Sequence, residues 1–218
     1  MPFAILLLLL ALFLPVLLFF LFYQLVSISF VKLGIPRPLV FLLFLAILVG
    51  GFINIPVWQT QSVEPGGIFR LGRVFFTEPP RVTTTIIAIN VGGALIPLLL
   101  SLYLLPKASL IRMGLVVAVV ALVTNSLARV VPGEGIFINP IIPPLVSAGA
   151  ALVLARKEAA PVAYVSGTVG TVIGTDLLNL GEVLQSGGTF LSIGGAGVFD
   201  GIFLVGVIAA FLSPGRGR

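Results

Sequence analysis

A long apolar run, FAILLLLLALFLPVLLFFLFYQLVSISF, covers residues 3–30 and contains no charged residue. A helix of roughly 20 apolar residues crosses a hydrocarbon core of about 30 Å, so this run is long enough to span a membrane. A secretory signal peptide would have a basic segment before the run and a small-residue cleavage site after it, and the sequence has neither. The run therefore predicts a transmembrane helix rather than a removed signal.

The composition of the whole chain predicts that the lipid bilayer is its main environment. Hydrophobic residues make up 59% of the chain and charged residues 9%, whereas soluble domains contain roughly 25% charged residues. The chain has no Cys and no His, which excludes disulfides, His-based zinc centres and Ser-His-Asp triads. No metal and no cofactor is predicted. The net charge of +5 comes from basic residues at predicted helix ends, which indicates membrane topology rather than nucleic-acid binding.

Apolar runs separated by charges or by Pro and Gly predict an all-α polytopic membrane protein, with one transmembrane domain over residues 1–218. The predicted segments lie near residues 3–30, 38–57, 84–105, 112–130, 141–155, 160–178 and 195–212. The fifth segment is short enough to be a partial span, so the prediction is six to seven transmembrane segments.

The basic residues predict the orientation of these segments. If all seven cross the membrane, eight of the 12 basic residues share one side: Lys32, Arg37, Lys107, Arg112, Arg156, Lys157, Arg216 and Arg218. The positive-inside rule then predicts a multi-pass protein of the cell membrane with its N-terminus outside and its C-terminus in the cytoplasm. Six of the seven acidic residues and all the asparagines fall on or near the outer side in this arrangement.

The loop at residues 59–81 predicts a short extracytoplasmic β-hairpin. Two short strand-like stretches, VWQTQSVE and IFRLGRVFF, flank a Pro-Gly-Gly turn at residues 65–67, which is a hairpin pattern. Trp58 is expected at the level of the lipid headgroups. The hairpin is either a structural lid or an edge strand that pairs with an extended peptide.

Asp176 and Asp200 lie near the outer ends of predicted segments six and seven, which are antiparallel and joined by about 16 residues. Each lies within about two helical turns of its segment end, so the two carboxyls are expected at similar depth. A carboxylate in hydrocarbon is costly and is usually functional, and neither segment has a basic residue. Two neighbouring carboxyls share one proton, so one acts as a base on water and the other as an acid towards an amide carbonyl.

Small and amide residues near the two aspartates are predicted to line the same site. They are Asn90, Asn125, Asn179, Gly174 and Gly197. An asparagine within a membrane helix needs protein or water as a partner, and Gly167, Gly170 and Gly174 form a small face that permits close helix packing. The alternatives are that the glycines only pack and that each Asp is a helix cap or an interfacial residue.

The stretches GTVGTVIGTD, which ends at Asp176, and GGAGVFDGIFLVG, which contains Asp200, resemble the GxGD-type intramembrane aspartyl proteases, the presenilin and signal-peptide-peptidase group. Members of that group carry one Asp on each of two neighbouring antiparallel helices, so the resemblance implies catalytic roles for both residues. Here Thr175 separates Gly174 from Asp176, and no Pro-Ala-Leu motif is present. The chain as a whole resembles an uncharacterised prokaryotic membrane protein family, the domain of unknown function 1614, which implies no established activity.

The leading hypothesis is peptide-bond hydrolysis by the aspartyl pair, with a membrane protein or peptide as substrate. A second hypothesis is a cation- or proton-coupled transporter or channel with an outward-facing acidic site, because carboxylate and amide oxygens replace the hydration water of ions. A third is a non-enzymatic membrane assembly protein. Transporters often contain inverted repeats, and no repeat is visible in this sequence, which favours the enzyme.

Overall fold

The computed structural model describes residues 2–64, 68–71, 74–77, 81–131, 135–185, 190–195 and 201–215. This part of the chain is mainly helical. Its α-helices are α1 (Pro2–Lys32), α2 (Arg37–Gly50), α3 (Ile96–Leu104), α4 (Leu110–Leu127), α5 (Ile142–Leu154), α6 (Ala159–Thr171), α7 (Leu180–Gln185) and α8 (Gly201–Leu212). Short π-helical segments precede α3 (Val91–Leu95) and continue α6 (Val172–Leu177).

Two stretches are long and apolar enough to cross a membrane, judged by length and composition within the described residues. They are Leu9–Lys32 and Leu110–Leu127. Four shorter apolar helical stretches accompany them: Arg37–Gly50, Val91–Lys107, Ile142–Leu154 and Gly201–Leu212. The helical class expected from the sequence is therefore confirmed, whereas full-length helices are found for two of the seven predicted segments.

Seven strands occur between the helices in the part of the chain that the structure describes. They are β1 (Asn54–Glu64), β2 (Ile68–Leu71), β3 (Val74–Thr77), β4 (Arg81–Asn90), β5 (Arg129–Val131), β6 (Gly135–Phe137) and β7 (Phe190–Ile193). Strands β1, β4 and β7 form one sheet in that spatial order; β4 is antiparallel to β1 and parallel to β7. The pairs β2–β3 and β5–β6 are separate antiparallel hairpins.

The boundaries predicted for the second and third segments were wrong, because strand replaces helix where they face each other. The second helix ends at Gly50 rather than near residue 57, and the third begins after Asn90 rather than at residue 84. Residues 82–90, VTTTIIAIN, are rich in β-branched side chains, which favour strands. An apolar run of this length does not distinguish a strand from a buried helix by periodicity alone.

Strands do flank the predicted turn in the 59–81 loop, but their pairing differs from the prediction. The strand before the turn, β1, pairs with β4, from Asn54 opposite Asn90 to Glu64 opposite Arg81. The strand after it, β2, pairs with β3 instead. The turn itself, residues 65–67, lies outside the described residues. The strands β1 and β4 therefore form a long antiparallel pair, and the hairpin of β2 and β3 lies between them in the sequence.

Helix α6 is the centre of the helical bundle. Every residue of α6 except Val169 is buried, and the helix packs against α4, α5 and α8. Tyr164 of α6 is fully buried and its ring meets that of Phe30 on α1 with centroids 6.2 Å apart. A central helix that is buried on all sides needs small residues, and α6 supplies Ala, Gly, Ser and Thr at most positions.

Hydrogen bonds join the loop ends at one end of this bundle. The Lys32 ammonium at the end of α1 donates to the carbonyls of Phe211, in the last turn of α8, and Ser213, just after it. Lys107 donates to the Leu33 carbonyl at 2.8 Å. The backbone N–H of Ser109 donates to Glu158 Oε2 at 3.0 Å. We call the end of the bundle that contains Lys32, Lys107 and Ser109 the basic end. The sheet of β1, β4 and β7 lies at the other ends of these helices, which we call the sheet end.

Candidate functional site

Asp176 lies at the sheet end, in the π-helical segment that continues α6, with a half-buried side chain. The Thr175 hydroxyl lies 2.7 Å from Asp176 Oδ1 and 2.8 Å from the Thr171 carbonyl oxygen, so it can donate to either. The backbone amide of Gly194, just after β7, bonds the same carboxyl. Contacts from the extension of α6 and from the end of β7 therefore hold the Asp176 side chain in position.

The Asp176 carboxyl borders a cavity of about 540 Å³, a volume typical of ligand-binding pockets. Its walls come from β6 and the chain after it, the end of α6, α7, β7 and the start of α8. The polar side chains in the lining are Asn54, Thr171, Thr175, Asp176 and Ser192; most of the others are apolar. Gly201, the residue that follows Asp200 in the sequence, also lines the cavity.

Strand β7 forms one wall of the cavity, since all four of its residues belong to the lining. It stands at the edge of its sheet, and among the described strands only β4 pairs with it. An edge strand presents unpaired N–H and C=O groups to which an extended chain can add. Its Ser192 hydroxyl donates to Asn54 Oδ1, which ties β7 to the first strand of the sheet.

Asn125, Asn179 and Gly174 lie together behind Asp176 rather than in the cavity lining. The Asn179 amide group contacts Asn125 Oδ1 at 3.2 Å and the carbonyls of Gly174 and Thr175, both at 2.9 Å. A Cβ at Gly174 would overlap Thr124 Oγ1 and the Ala121 carbonyl of α4. The contacts of Asn125, Asn179 and Gly174 fix the π-helical segment against α4. They therefore also fix the backbone position of Asp176, which belongs to that segment.

Asn90 belongs to a different group of contacts at the end of β4. Its side-chain oxygen accepts from the Gly93 N–H at 2.7 Å, and its amide group donates to the Gly51 carbonyl at 2.8 Å. The same amide donates to Asn54 Oδ1 at 3.1 Å. Asn90 is thus a buried cap that joins the end of β4 to the π-helical segment before α3 and to the loop after α2. Asn90 does not line the cavity, but its partner Asn54 does. Asp200 and Gly197 lie outside the described residues.

A family model described as a protein of unknown function, DUF1614, matches residues 48–212. The chain belongs to the DUF1614 family. No curated protein and no solved structure matches the chain. The part that matches the DUF1614 model contains every predicted site residue and all walls of the cavity, while α1 lies before it. Within the described ranges, this DUF1614 protein has no group of three or more His, Cys, Asp or Glu side chains that could hold a metal ion.

The sequence prediction missed the hydroxyl groups of the DUF1614 cavity. Thr171 and Thr175 line it from α6 and its extension, and Ser192 lines it from β7. The two threonines are four residues apart and therefore lie on the same side of a helix, a spacing that is visible in the sequence. Ser192 carries no such signal, because its place depends on the parallel pairing of β7 with β4.

Proposed function

We propose that the protein is an aspartyl endopeptidase of the membrane, with Asp176 and Asp200 as its catalytic pair. The observation that carries the proposal is the position of Asp176, an acid at the wall of a mainly apolar cavity beside an edge strand. One carboxylate takes a proton from water as the water attacks the amide carbonyl. The other, protonated carboxyl donates to the carbonyl oxygen, which gives a gem-diol. The gem-diol then collapses: the C–N bond breaks, the first carboxyl gives its proton to the leaving amine nitrogen, and the second carboxylate takes a proton back from a gem-diol hydroxyl. The two carboxyls are equivalent in this scheme, and either can take either role.

The proposed substrate is an extended, apolar polypeptide segment, from a membrane protein or a peptide. Strand β7 supports this choice, since an extended chain that pairs with its unpaired edge lies along the cavity wall. Strand pairing recognises the substrate backbone, and the apolar lining favours apolar side chains. An extended backbone also exposes the amide that hydrolysis requires.

We further propose that the chain is a multi-pass protein of the cell membrane with about seven spans. In this arrangement the N-terminus and the 59–81 loop are outside, and the C-terminus is cytoplasmic. The hydrogen bonds of Lys32, Lys107 and Ser109 support a common side for the basic end, and the positive-inside rule assigns that side to the cytoplasm. Helices as short as α2 and α8 would require a locally thinner bilayer.

The hydrolase proposal is tested with purified protein in liposomes and a set of quenched fluorescent peptides with apolar, extended sequences. Native protein should cleave at least one peptide, and Asp176→Asn and Asp200→Asn should each abolish cleavage while retaining the native melting temperature. Glu182→Gln is the matched control, since Glu182 is an exposed acid of α7 at the same end of the molecule. Cleavage that persists in either Asp variant would refute the catalytic pair.

A peptide inhibitor gives an independent measurement on the native chain. A peptide with a hydroxyl-bearing tetrahedral centre in place of the scissile amide imitates the transition state and should bind far more tightly than the parent peptide. Its affinity should fall strongly in Asp176→Asn and stay unchanged in Glu182→Gln. Equal affinity in native protein and in Asp176→Asn would mean that the acid does not contact the reacting group.

A further inference from the structure

Helix α6 and its extension carry a line of hydroxyl side chains that leads from the Asp176 cavity into the bundle. Tyr164, Thr168, Thr171 and Thr175 are spaced by four, three and four residues. With 3.6 residues per turn, these positions fall within about 60° on one side of the helix. We call these four residues the hydroxyl stripe. Its length is about 16 Å, at 1.5 Å per residue, or roughly half of a hydrocarbon core.

Three members of the stripe have buried hydroxyls without a partner. Tyr164 and Thr168 are fully buried and Thr171 is 4% exposed, and their side-chain oxygens make no hydrogen bond to any of the described residues. The Tyr164 and Thr168 side chains are close enough to interact, but their hydroxyls do not meet the distance and angle of a regular hydrogen bond. Buried hydroxyls without partners are costly and rare. Three unsatisfied hydroxyls on one side of one helix therefore point to a common kind of partner, and the usual partner of a buried hydroxyl is water.

The upper part of the stripe opens into the cavity, because Thr171 and Thr175 belong to the cavity lining and Thr175 contacts the Asp176 carboxyl. The lower part lies against Gly206 of α8. A Cβ there would overlap Thr168 Oγ1 and come within 3.1 Å of the Tyr164 ring. The α8 backbone therefore lies directly against these two side chains, and position 206 has no room for a side chain of its own.

Polar groups continue beyond Tyr164 towards the basic end. Ser29 on α1 is fully buried, and its hydroxyl lies 2.8 Å from the Leu25 carbonyl oxygen and 3.0 Å from that of Val207, the residue after Gly206. One turn further along α1, the Lys32 ammonium binds the carbonyls at the end of α8. Asp176, the stripe, Ser29 and Lys32 thus follow one another from the sheet end to the basic end.

We propose that the hydroxyl stripe and Asp176 form a hydrated proton pathway through the bundle. Each hydroxyl or water accepts a proton on its oxygen and releases its own proton to the next group, so no group changes its charge after a transfer. Asp176 takes protons from water in the cavity and passes them to the stripe. A metal cation would need several oxygens around one point, whereas these oxygens follow one another along a helix. The pathway does not rest on the proposed hydrolysis.

Proton flux is measured with the full chain in liposomes that contain a pH-sensitive dye, with a potassium diffusion potential set by valinomycin. Native protein should acidify the liposomes faster than protein-free liposomes do. Thr168→Val and Thr171→Val keep the side-chain shape but remove a hydrogen-bonded step, and each should lower the flux about tenfold or more. Thr168→Ser retains the hydroxyl and should retain most of the flux.

Thr124→Val is the matched control, since Thr124 is a fully buried threonine of α4 whose hydroxyl is already bonded at 2.8 Å to the Val120 carbonyl. Its flux should equal that of the native protein. The proposal is overturned if native protein conducts no protons above the lipid background, or if Thr168→Val conducts as well as the native chain. Peptide cleavage is measured in the same variants. Because Thr168→Val and Thr171→Val leave both aspartates in place, a change in proton flux without a change in cleavage concerns the pathway and not the hydrolase proposal.

Water access is tested separately, and the absence of Cys from the sequence makes single-cysteine variants direct probes. Thr168→Cys and Thr171→Cys should react with silver ions added from the cavity side. Val162→Cys is the control, since Val162 lies fully buried on α6 outside the stripe, and it should stay unreacted in the same time. A thiol at position 168 that reacts no faster than the thiol at position 162 would refute a hydrated pathway.

Discussion

Replacing Gly174 by alanine tests the close contact that holds Asp176 in place. The added methyl would overlap Thr124 Oγ1 and the Ala121 carbonyl oxygen, and would lie 3.0 Å from the Ala121 carbonyl carbon. Two of these three atoms are backbone atoms of α4, so relief requires movement of the helix rather than a change of rotamer. The π-helical segment and α4 must move apart, which weakens the hydrogen bond between Asn179 and Asn125.

The expected loss of stability follows from three contributions. Overpacking costs about 1–3 kcal/mol, and a weakened hydrogen bond between Asn179 and Asn125 costs about 0.5–1.5 kcal/mol. Alanine gains about 0.5–1 kcal/mol over glycine in a helix. The net destabilisation is about 2 kcal/mol, which lowers the melting temperature by roughly 4–8 °C in a protein of this size.

The assay is thermal unfolding in detergent, followed by circular dichroism, with Gly114→Ala as the matched control. Gly114 lies in α4 itself, and a Cβ there would meet no atom within 4 Å. This control should raise the melting temperature by a few degrees at most, since only the helix propensity changes. If Gly174→Ala unfolds at or above the temperature of Gly114→Ala, the close contact between α4 and the π-helical segment does not exist.

Three further predictions concern the cap, the acid and the topology. Asn90→Ala should lower stability by about 1 kcal/mol or more, because it removes the cap on the Gly93 N–H and leaves the Gly51 carbonyl without its donor; unchanged unfolding would contradict this role. Asp176→Asn should unfold at the native temperature or above, since a neutral amide keeps the shape and can still accept from Thr175; a melting temperature several degrees lower would indicate a structural carboxylate. A reporter that works only in the cytoplasm should be active when fused after Arg218, and activity confined to a periplasmic reporter would reverse the proposed topology.

The sequence allowed the helices to be predicted better than the sheet. Apolar runs about as long as a membrane crossing, or longer, identify α1 and α4, because few other structures use such runs. Strand β4 was missed because its apolar residues continue directly into the next helix, and a membrane segment was the simpler interpretation. The turn at residues 65–67 was located, but its strands were paired incorrectly, since pairing depends on β4, which lies further along the chain.

The candidate site was predictable only in part. Asp176 is identifiable because a carboxylate within an apolar segment is rare. The partners of the glycines were not predictable, since Gly170 and Gly174 lie against α4 whereas Gly167 lies against Val205 of α8. Helical spacing places these three glycines on one side of α6 but does not tell which neighbour each one meets. The wall formed by β7 depends on a long-range pairing that no local pattern encodes.

The parallel pairing of β7 with β4 has a consequence for how this protein is made. Ile86 pairs with Phe190 and Ile89 with Ile193, so the two strands meet only after the intervening chain, with α3 to α7, has been synthesised. Contacts between residues so far apart in sequence form slowly and late. The cavity beside Asp176 therefore gains the walls formed by β7 and by the start of α8 only after residues 190–208 have left the ribosome. A nascent chain that contains only the first helices still lacks the site, and any activity that depends on the cavity begins only once residues 190–208 have been synthesised.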